Sequence, residues 1–323
     1  MRQRRLGRTG LKVSELALGG GIVGGILVHP ADEVRLEALE RAVRAGCDWV
    51  DTAADYGAGE SERALGRLLP QVAPRPRLST KVRVDPAGLG DLEGQVRRSL
   101  EASLARLGVD RVELFQLHNP LGAETSNRLL AAREVLRPGG VADVFDRLRE
   151  EGYFGHHGVT ALGETPAILE VLRSGRFDTA QVYHNMLNPS AARPVPPGWG
   201  GQDFGGVLAA CRERDVGVLA IRVLAGGALA SDERHGREVV VAADADLERE
   251  MARARELFAR LGGRYGTRAQ AAVRHALADP DLSTLVVGVA SLEQLDEALA
   301  AFEAGPLPEG AAAEIEACYA EGP

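Results

Sequence analysis

Eight short apolar runs recur along the chain, separated by stretches of helical periodicity. The runs are Leu16-Ala17-Leu18, Trp49-Val50, Leu78-Ser79-Thr80-Lys81, Val112 to Leu117, Gly155 to Thr160, Thr179 to Val182, Val216 to Val223 and Thr284 to Val289. Leu36, Leu39, Ala42 and Val43 share a helical face before the second run. Leu92, Val96, Leu100, Leu104 and Leu107 form a stripe after the third, and Leu292, Leu295, Leu299 and Phe302 another near the C-terminus. Such alternation predicts a parallel sheet covered by helices, and eight units are the number that closes a (β/α)8 TIM barrel. A doubly wound sheet is the rival. Gly19, Gly21 and Gly24 satisfy G-x-G-x-x-G, but the residues that follow run into Pro30 instead of opening a helix, and Asp51 precedes a loop.

Residues 1–14 read as a small hairpin around Arg8-Thr9-Gly10, and long loops are expected after strands at 119–137, 185–202 and 224–246, where a barrel builds its active site. The length of 323 residues suggests about two domains by the usual rule of roughly 150 residues each, but no composition break resembles a linker, so one barrel domain over 1–323 is expected. With only 4% aromatics, the core must come from Leu, Val and Ala.

Charge narrows the partners. A net charge of −8 and the absence of a basic stripe speak against nucleic acid. No apolar stretch approaches a membrane span of about 18 residues, and the N-terminus lacks the pattern of a secretory signal, so a cytoplasmic protein is expected. Cys47, Cys211 and Cys318 are far apart, odd in number and without a C-x-x-C, which reads as reduced thiols with no zinc motif. Oligomeric state is not legible.

Chemistry gathers at the ends of consecutive strands. Asp51 follows Trp49-Val50, Lys81 ends the third run and His118 ends the fourth, with Tyr56 in the loop after the second. Singly, Asp51 could cap a turn, Lys81 could snorkel, and His118 could be a satisfied histidine before Pro120. Polar groups at three successive strand ends, all aimed at the mouth, demand a shared task.

At these residues the chain resembles the aldo-keto reductases. Asp51-Thr52-Ala53-x-x-Tyr56-Gly57, then Glu60-Ser61-Glu62 and Leu65-Gly66, is similar to that family's signature. The likeness continues through Arg5 to Ser14, Ser79-Thr80-Lys81, Asp110 to Asn119, Gly158-Val159-Thr160, Gln181-Val182-x-His184-Asn185, and Val287-Gly288 with Glu293-Gln294-Leu295. The resemblance implies an NAD(P)-dependent oxidoreductase acting on a small carbonyl/alcohol pair, without a metal. It makes Tyr56 the general acid, Lys81 the cation that draws its pKa of about 10 towards the working range, Asp51 the partner of Lys81, and His118 the group that orients the carbonyl or relays its proton.

For the cofactor, the resemblance points to Thr160 and Gln181 at the carboxamide, with Thr160-Ala161 in place of the family's Ser-Asn. Ile221 falls where a tyrosine commonly stacks on the nicotinamide, and Arg222 and Leu224 stand by the pyrophosphate. The positions that carry cations for a 2′-phosphate in NADP-preferring members are Gly288 and Gln294 here, and Glu297 follows one turn on. This leaves NADP or NAD open, with a lean to NAD or dual use.

Other features have plainer readings. His156-His157 should face opposite ways along a strand, which makes joint metal binding implausible. His184 should hydrogen-bond a neighbouring loop, the run Asp244, Asp246, Glu248 and Glu250 should be a solvated helix start, and Trp199 should line the mouth or anchor a loop. Two alternatives accompany the oxidoreductase: a nicotinamide-binding redox sensor with little turnover, and a hydrolase pairing Asp51 with Glu60 or Glu62.

Overall fold

The structure, a computed structural model, describes the chain apart from residues 197–199, 235, 239–240, 242–245 and 321–323, and for 316–320 it describes the helix but not the side chains. Eight strands close into a parallel barrel: β1 (Leu16–Gly19), β2 (Trp49–Asp51), β3 (Arg77–Val82), β4 (Val112–Leu117), β5 (Phe154–Ala161), β6 (Thr179–Tyr183), β7 (Gly217–Ile221) and β8 (Thr284–Val287). Each pairs with its successor in sequence, and β8 returns to β1 through Leu285–Leu16, Val286–Ala17 and Val287–Leu18. The eight expected runs are these eight strands. The seventh is shorter than its apolar run because Arg222 turns to φ 62°, which ends the extended backbone at Ile221.

The expected hairpin pairs Gln3–Arg5 with Lys12–Ser14 across a short turn at Gly7–Thr9. Its Leu6 and Val13 pack with Ala17, Trp49, Leu114 and Leu219, so the hairpin plugs the N-terminal end of the barrel and leaves the opposite end as the mouth. Around the barrel the core is built mainly of Leu, Val and Ala. The scarce phenylalanines are concentrated rather than scattered: Phe115 lies 5.0 Å from Phe145 and 5.2 Å from Phe154, ring centre to ring centre.

Two departures from the sequence reading concern the loops. The segment 119–137 is not irregular throughout, since Leu121–Gly122 pairs with Leu130–Ala131 and Ala132–Leu136 is a short helix. Helices Leu247–Leu261 and Ala311–Ala320 lie outside the strand–helix repeat, with Met251, Leu257 and Ile315 in a separate apolar cluster that includes Leu187 and Leu229. The glycine-rich segment 19–25 opens no helix, because helix Asp32–Arg44 begins only after Pro30. It crosses instead against β8: Ile26 N donates to Val289 O at 3.1 Å, and a Cβ on Gly24 would stand 2.5 Å from Val289 N, so only glycine fits there. No described helix is long and apolar enough to cross a membrane.

Candidate active site

Strand parity builds the site. Side chains at alternate positions point inward, and the inward positions nearest the mouth are Gly19, Asp51, Lys81, Thr160, Gln181 and Ile221, joined by His118 and Gly288 just beyond β4 and β8. The β-ladder brings them level, with Gly19 beside Asp51 and Thr160 beside Gln181. They surround the floor of a cavity of about 390 Å³ that Tyr56 and His118 also line.

Lys81 is wholly buried and donates to Asp51 Oδ2 at 2.6 Å, to the carbonyl of Thr52 at 2.7 Å and to Tyr56 Oη at 3.2 Å. An ammonium with three acceptors remains charged: burial alone would pull it down, but the charge of Asp51 and the bonds to Asp51 and Tyr56 hold it above its ordinary value. Asp51 Oδ1 in turn accepts from Ser79 Oγ at 2.7 Å, Gln181 Nε2 at 2.9 Å and Gln116 Nε2 at 3.3 Å. Trp49 Nε1 donates to that same Ser79 hydroxyl at 2.9 Å. The carboxylate is therefore fixed from three strands.

Tyr56 is held by the turn that follows β2, where Ser61 N donates to its carbonyl at 3.3 Å and Thr52 Oγ1 donates to Ser61 Oγ at 2.8 Å. Because its oxygen accepts from Lys81, its own O–H is left to donate. Burial pushes the phenol upward, Lys81 opposes that, and Asp51 and Asp55 add to the rise; the net direction is up. Lys81 thus acts in the expected direction, drawing the phenol down, while burial works against it and outweighs it. His118 meets the Tyr56 ring edge-on with centres 5.6 Å apart, and its Nδ1 lies 3.2 Å from Asp55 Oδ1.

The remaining candidates divide. Thr160, Gln181, Ile221, Arg222, Leu224, Gly288 and Gln294 line the cavity, whereas Glu297 does not, since it stands a turn further along helix Leu292–Ala304. Gln181 gives one amide N–H to Asp51 and lines the cavity with the rest of its amide. Thr160 Oγ1 is buried with no hydrogen-bond partner. Arg222 belongs to a strained turn in which Arg222, Ala225, Gly226 and Gly227 all have positive φ, and its guanidinium lies so close to Gly226 that a Cβ there would meet it at 2.6 Å. Burial lowers the Arg222 pKa and raises that of nearby Glu250, which also approaches Tyr183 Oη at 3.5 Å. Sequence reasoning missed Asp55, Ser79, Gln116 and the exposed Arg83 at the mouth. Ser79 and Gln116 share inward parity with Lys81 and His118, a signal that was present; Asp55 fills a variable position of the Tyr56 motif.

The other sequence features resolve as follows. Glu62 accepts from Thr80 Oγ1 at 2.5 Å and Arg106 Nε at 2.6 Å, and Glu60 pairs with Arg35, Arg63 and Arg67; neither lines the cavity, which removes the basis for a paired-carboxylate hydrolase. His157 reaches Asp146 at 3.1 Å and His156 approaches Asp178 at 3.6 Å, in keeping with opposite strand faces. His184 makes no hydrogen bond to a loop, contrary to expectation. Both its ring nitrogens are buried without partners, and it stacks on His275 with ring centres 5.8 Å apart. Asp246 caps helix Leu247–Leu261 by accepting from Glu248 N at 2.9 Å, but Glu250 is half-buried rather than solvated. Asp244 and Trp199 lie outside the described residues, as does the side chain of Cys318. Cys47 and Cys211 are buried free thiols, pushed by burial to about 11 and about 12. Among the described residues no three His, Cys, Asp or Glu side chains gather as a metal site.

Comparison with known proteins agrees with this geometry. The sequence profile of the Aldo/keto reductase family matches residues 15–320. The chain is 31% identical over 316 residues to the uncharacterized oxidoreductase YrpG of Bacillus subtilis (strain 168), covering 92% of this chain and 90% of that protein. It is 28% identical to a D-threo-aldose 1-dehydrogenase of Pseudomonas sp, with 71% of each chain covered. Identity to the L-galactose dehydrogenase of Arabidopsis thaliana is 26%, over 92% of this chain and 87% of that one. In fold it matches the holo form of the aldo-keto reductase AKR11C1 from Bacillus halodurans with a TM-score of 0.74 at 21% identity, over 99% of this chain and 96% of that chain.

Proposed function

This chain belongs to the aldo/keto reductase family, and on that premise we propose that it is a nicotinamide-dependent oxidoreductase in which Tyr56 passes a proton to and from the oxygen of a carbonyl/alcohol pair. One observation carries the reading: the Tyr56 oxygen accepts a hydrogen bond from buried Lys81 at 3.2 Å while its own proton is left for the cavity. In reduction, Tyr56 donates that proton to the carbonyl oxygen. The phenolate left behind is stabilised by Lys81, whose charge Asp51 maintains. In the reverse direction the same phenolate accepts the proton of the alcohol. His118, on the same cavity, holds the reacting oxygen in place.

When bound, a nicotinamide cofactor would supply or take up the hydride. The residues present fit one. Thr160 Oγ1 is a buried hydroxyl without a partner beside the cavity, suited to an amide group. Ile221 offers an aliphatic face for a planar ring, without the roughly 0.5–1.5 kcal/mol of an aromatic pair. The turn through Ala225, Gly226 and Gly227 has the positive-φ backbone from which anion-binding concavities are made, and Arg222 beside it suits a pyrophosphate. Gly288 and Gln294 offer no cation to a 2′-phosphate, which favours NAD.

Two of the relatives carry an aldose and L-galactose in their names, so we place oxidation of an aldose first among the reactions to try. The test is to titrate NADH and NADPH separately by fluorescence and then assay aldehydes and aldoses with the cofactor that binds. Saturable binding, tighter for NADH, followed by turnover that Tyr56→Phe abolishes is the expected result. Binding of neither cofactor, or full turnover by Tyr56→Phe, would refute it. Tight binding without turnover on any substrate would instead favour a redox sensor.

A further inference from the structure

We propose that Asp55 is the positioning residue of His118, holding the imidazole with its Nδ1 proton on the carboxylate and leaving Nε2 for the substrate oxygen. The proposal rests on the reading that Tyr56 and His118 serve a carbonyl, and it adds a residue outside the four that the motif supplied.

The geometry comes from two loops meeting at the mouth. Asp55 precedes Tyr56 on the turn after β2, and His118 directly follows β4, its N–H donating to Val82 O at 2.7 Å. Asp55 Oδ1 stands 3.2 Å from His118 Nδ1, and Oδ2 stands 3.4 Å from Arg83 Nε. A bare ring nitrogen and a carboxylate oxygen would repel at that separation, so the carboxylate favours the form with the proton on Nδ1. The other nitrogen, Nε2, is then an acceptor in the neutral ring and a donor only in the imidazolium. A carbonyl oxygen needs a donor.

The surroundings of the ring decide how readily that donor forms. Burial works against the imidazolium, and so do the cations of Lys81 on β3 and Arg83 just beyond it; Tyr56 presents its ring at 5.6 Å. Asp55 is the group in the imidazolium's favour, through both contact and charge. The balance lies below the ordinary histidine value, with Asp55 itself held well below the usual carboxylate range, burial opposing and the histidine and both cations lowering it. Replacing the carboxylate by an amide keeps an acceptor for Nδ1 but removes the charge, and so pushes the imidazolium donor to still lower pH. No bond to His118 breaks in this role; it contributes a hydrogen bond to an oxygen that Tyr56 protonates.

The experiment uses Asp55→Asn, Asp55→Glu, His118→Phe and the double variant Asp55→Asn/His118→Phe. In histidine-labelled protein the resonance missing from His118→Phe identifies His118 by NMR. Its titration midpoint should fall by about one pH unit or more in Asp55→Asn and return in Asp55→Glu. For carbonyl reduction, kcat/KM of Asp55→Asn should be down roughly tenfold near pH 7 and recover towards acid pH. In the His118→Phe background the same substitution should have no further effect. An unmoved His118 midpoint overturns the proposal. So does a loss that is equal at every pH, or one that persists without His118. If Tyr56→Phe retains turnover while the midpoint still moves with Asp55, the functional reading has failed and the pairing has not, so the two failures are distinct.

Discussion

The two halves of the barrel mouth are built on opposite terms. At the ends of β2, β3 and β4 polar groups are matched: Lys81 has three acceptors, Asp51 is held from three strands, and Tyr56 is tied to Lys81. Gln116 Oε1 is left over on β4, whereas around β5 and β6 Thr160 Oγ1 at the cavity, and both nitrogens of His184 and His275 Nδ1 behind it, stand buried without partners. Just beyond β7 the backbone is also strained, at Arg222 and Ala225. A matched network fixes atoms before any substrate arrives, which is what proton transfer requires. Unmatched groups and strained turns cost stability and persist where a bound molecule can use them. On the proposed function, the difference is that proton transfer and cofactor binding would place opposite demands on one ring of strands.

The sharpest way to break the comparison is at the centre of the matched half. Tyr56→Phe removes one hydroxyl and leaves the ring in place, so cofactor binding by fluorescence should be unchanged while kcat falls on the order of 10²–10⁴-fold. Lys81→Met tests the same network through folding. It leaves Asp51 buried and uncompensated, and denaturant unfolding should show a loss of about 3–5 kcal/mol. A loss below about 1 kcal/mol would mean that the pair is no more than a surface-type ion pair, and the matched half would lose its distinction.

This matched half is also the part the sequence discloses. Asp51, Lys81 and His118 end apolar strands and Tyr56 follows the first of them, so the pattern that makes the barrel also displays the tetrad. Ser79 and Gln116 were equally accessible by parity, but an uncharged side chain in a strand raises no alarm. The second half is harder to read, because its properties lie in the backbone. Nothing in the letters Ile221-Arg222-Val223 announces that the strand stops at Ile221 with Arg222 at φ 62°. Nor does the chain show that His184 meets His275, which lie 91 positions apart in separate elements. Nor do the letters show that Gln181, which lines the cavity, also gives one N–H to Asp51.

The unmatched half should reveal itself in acid. Burial brings His184 down to about 4 and His275 to about 3, against an ordinary histidine value of about 6.5. Between those folded values and 6.5 the unfolded chain binds more protons than the folded one, so stability is complete above 6.5 and declines as the pH falls. Down to pH 4 the loss amounts to roughly 3 kcal/mol per ring at most. Unfolding measured from pH 7 to pH 4 should show this decline, and His275→Leu should flatten it. A flat wild-type profile would mean that the rings find partners in solution, and the contrast between the halves would shrink.

The smallest effect is the most discriminating. Thr160→Val preserves shape in a buried strand and deletes only the unpartnered hydroxyl, so two quantities should move in opposite senses. An orphaned buried hydroxyl costs about 1–3 kcal/mol, and its removal should leave the cofactor-free protein as stable as before or more so, read as an unchanged or raised Tm. The same change deletes a hydrogen bond to the cofactor, worth about 1 kcal/mol, so Kd should rise roughly fivefold. At Asp51, Lys81 and Tyr56 no conservative substitution has this signature, because each already serves the folded state and its loss destabilises. If Thr160→Val lowers Tm, the hydroxyl has a partner within the protein and β5 belongs with the matched strands. If Tm holds and Kd does not change, the hydroxyl faces no cofactor, and the amide subsite must lie elsewhere on the ring.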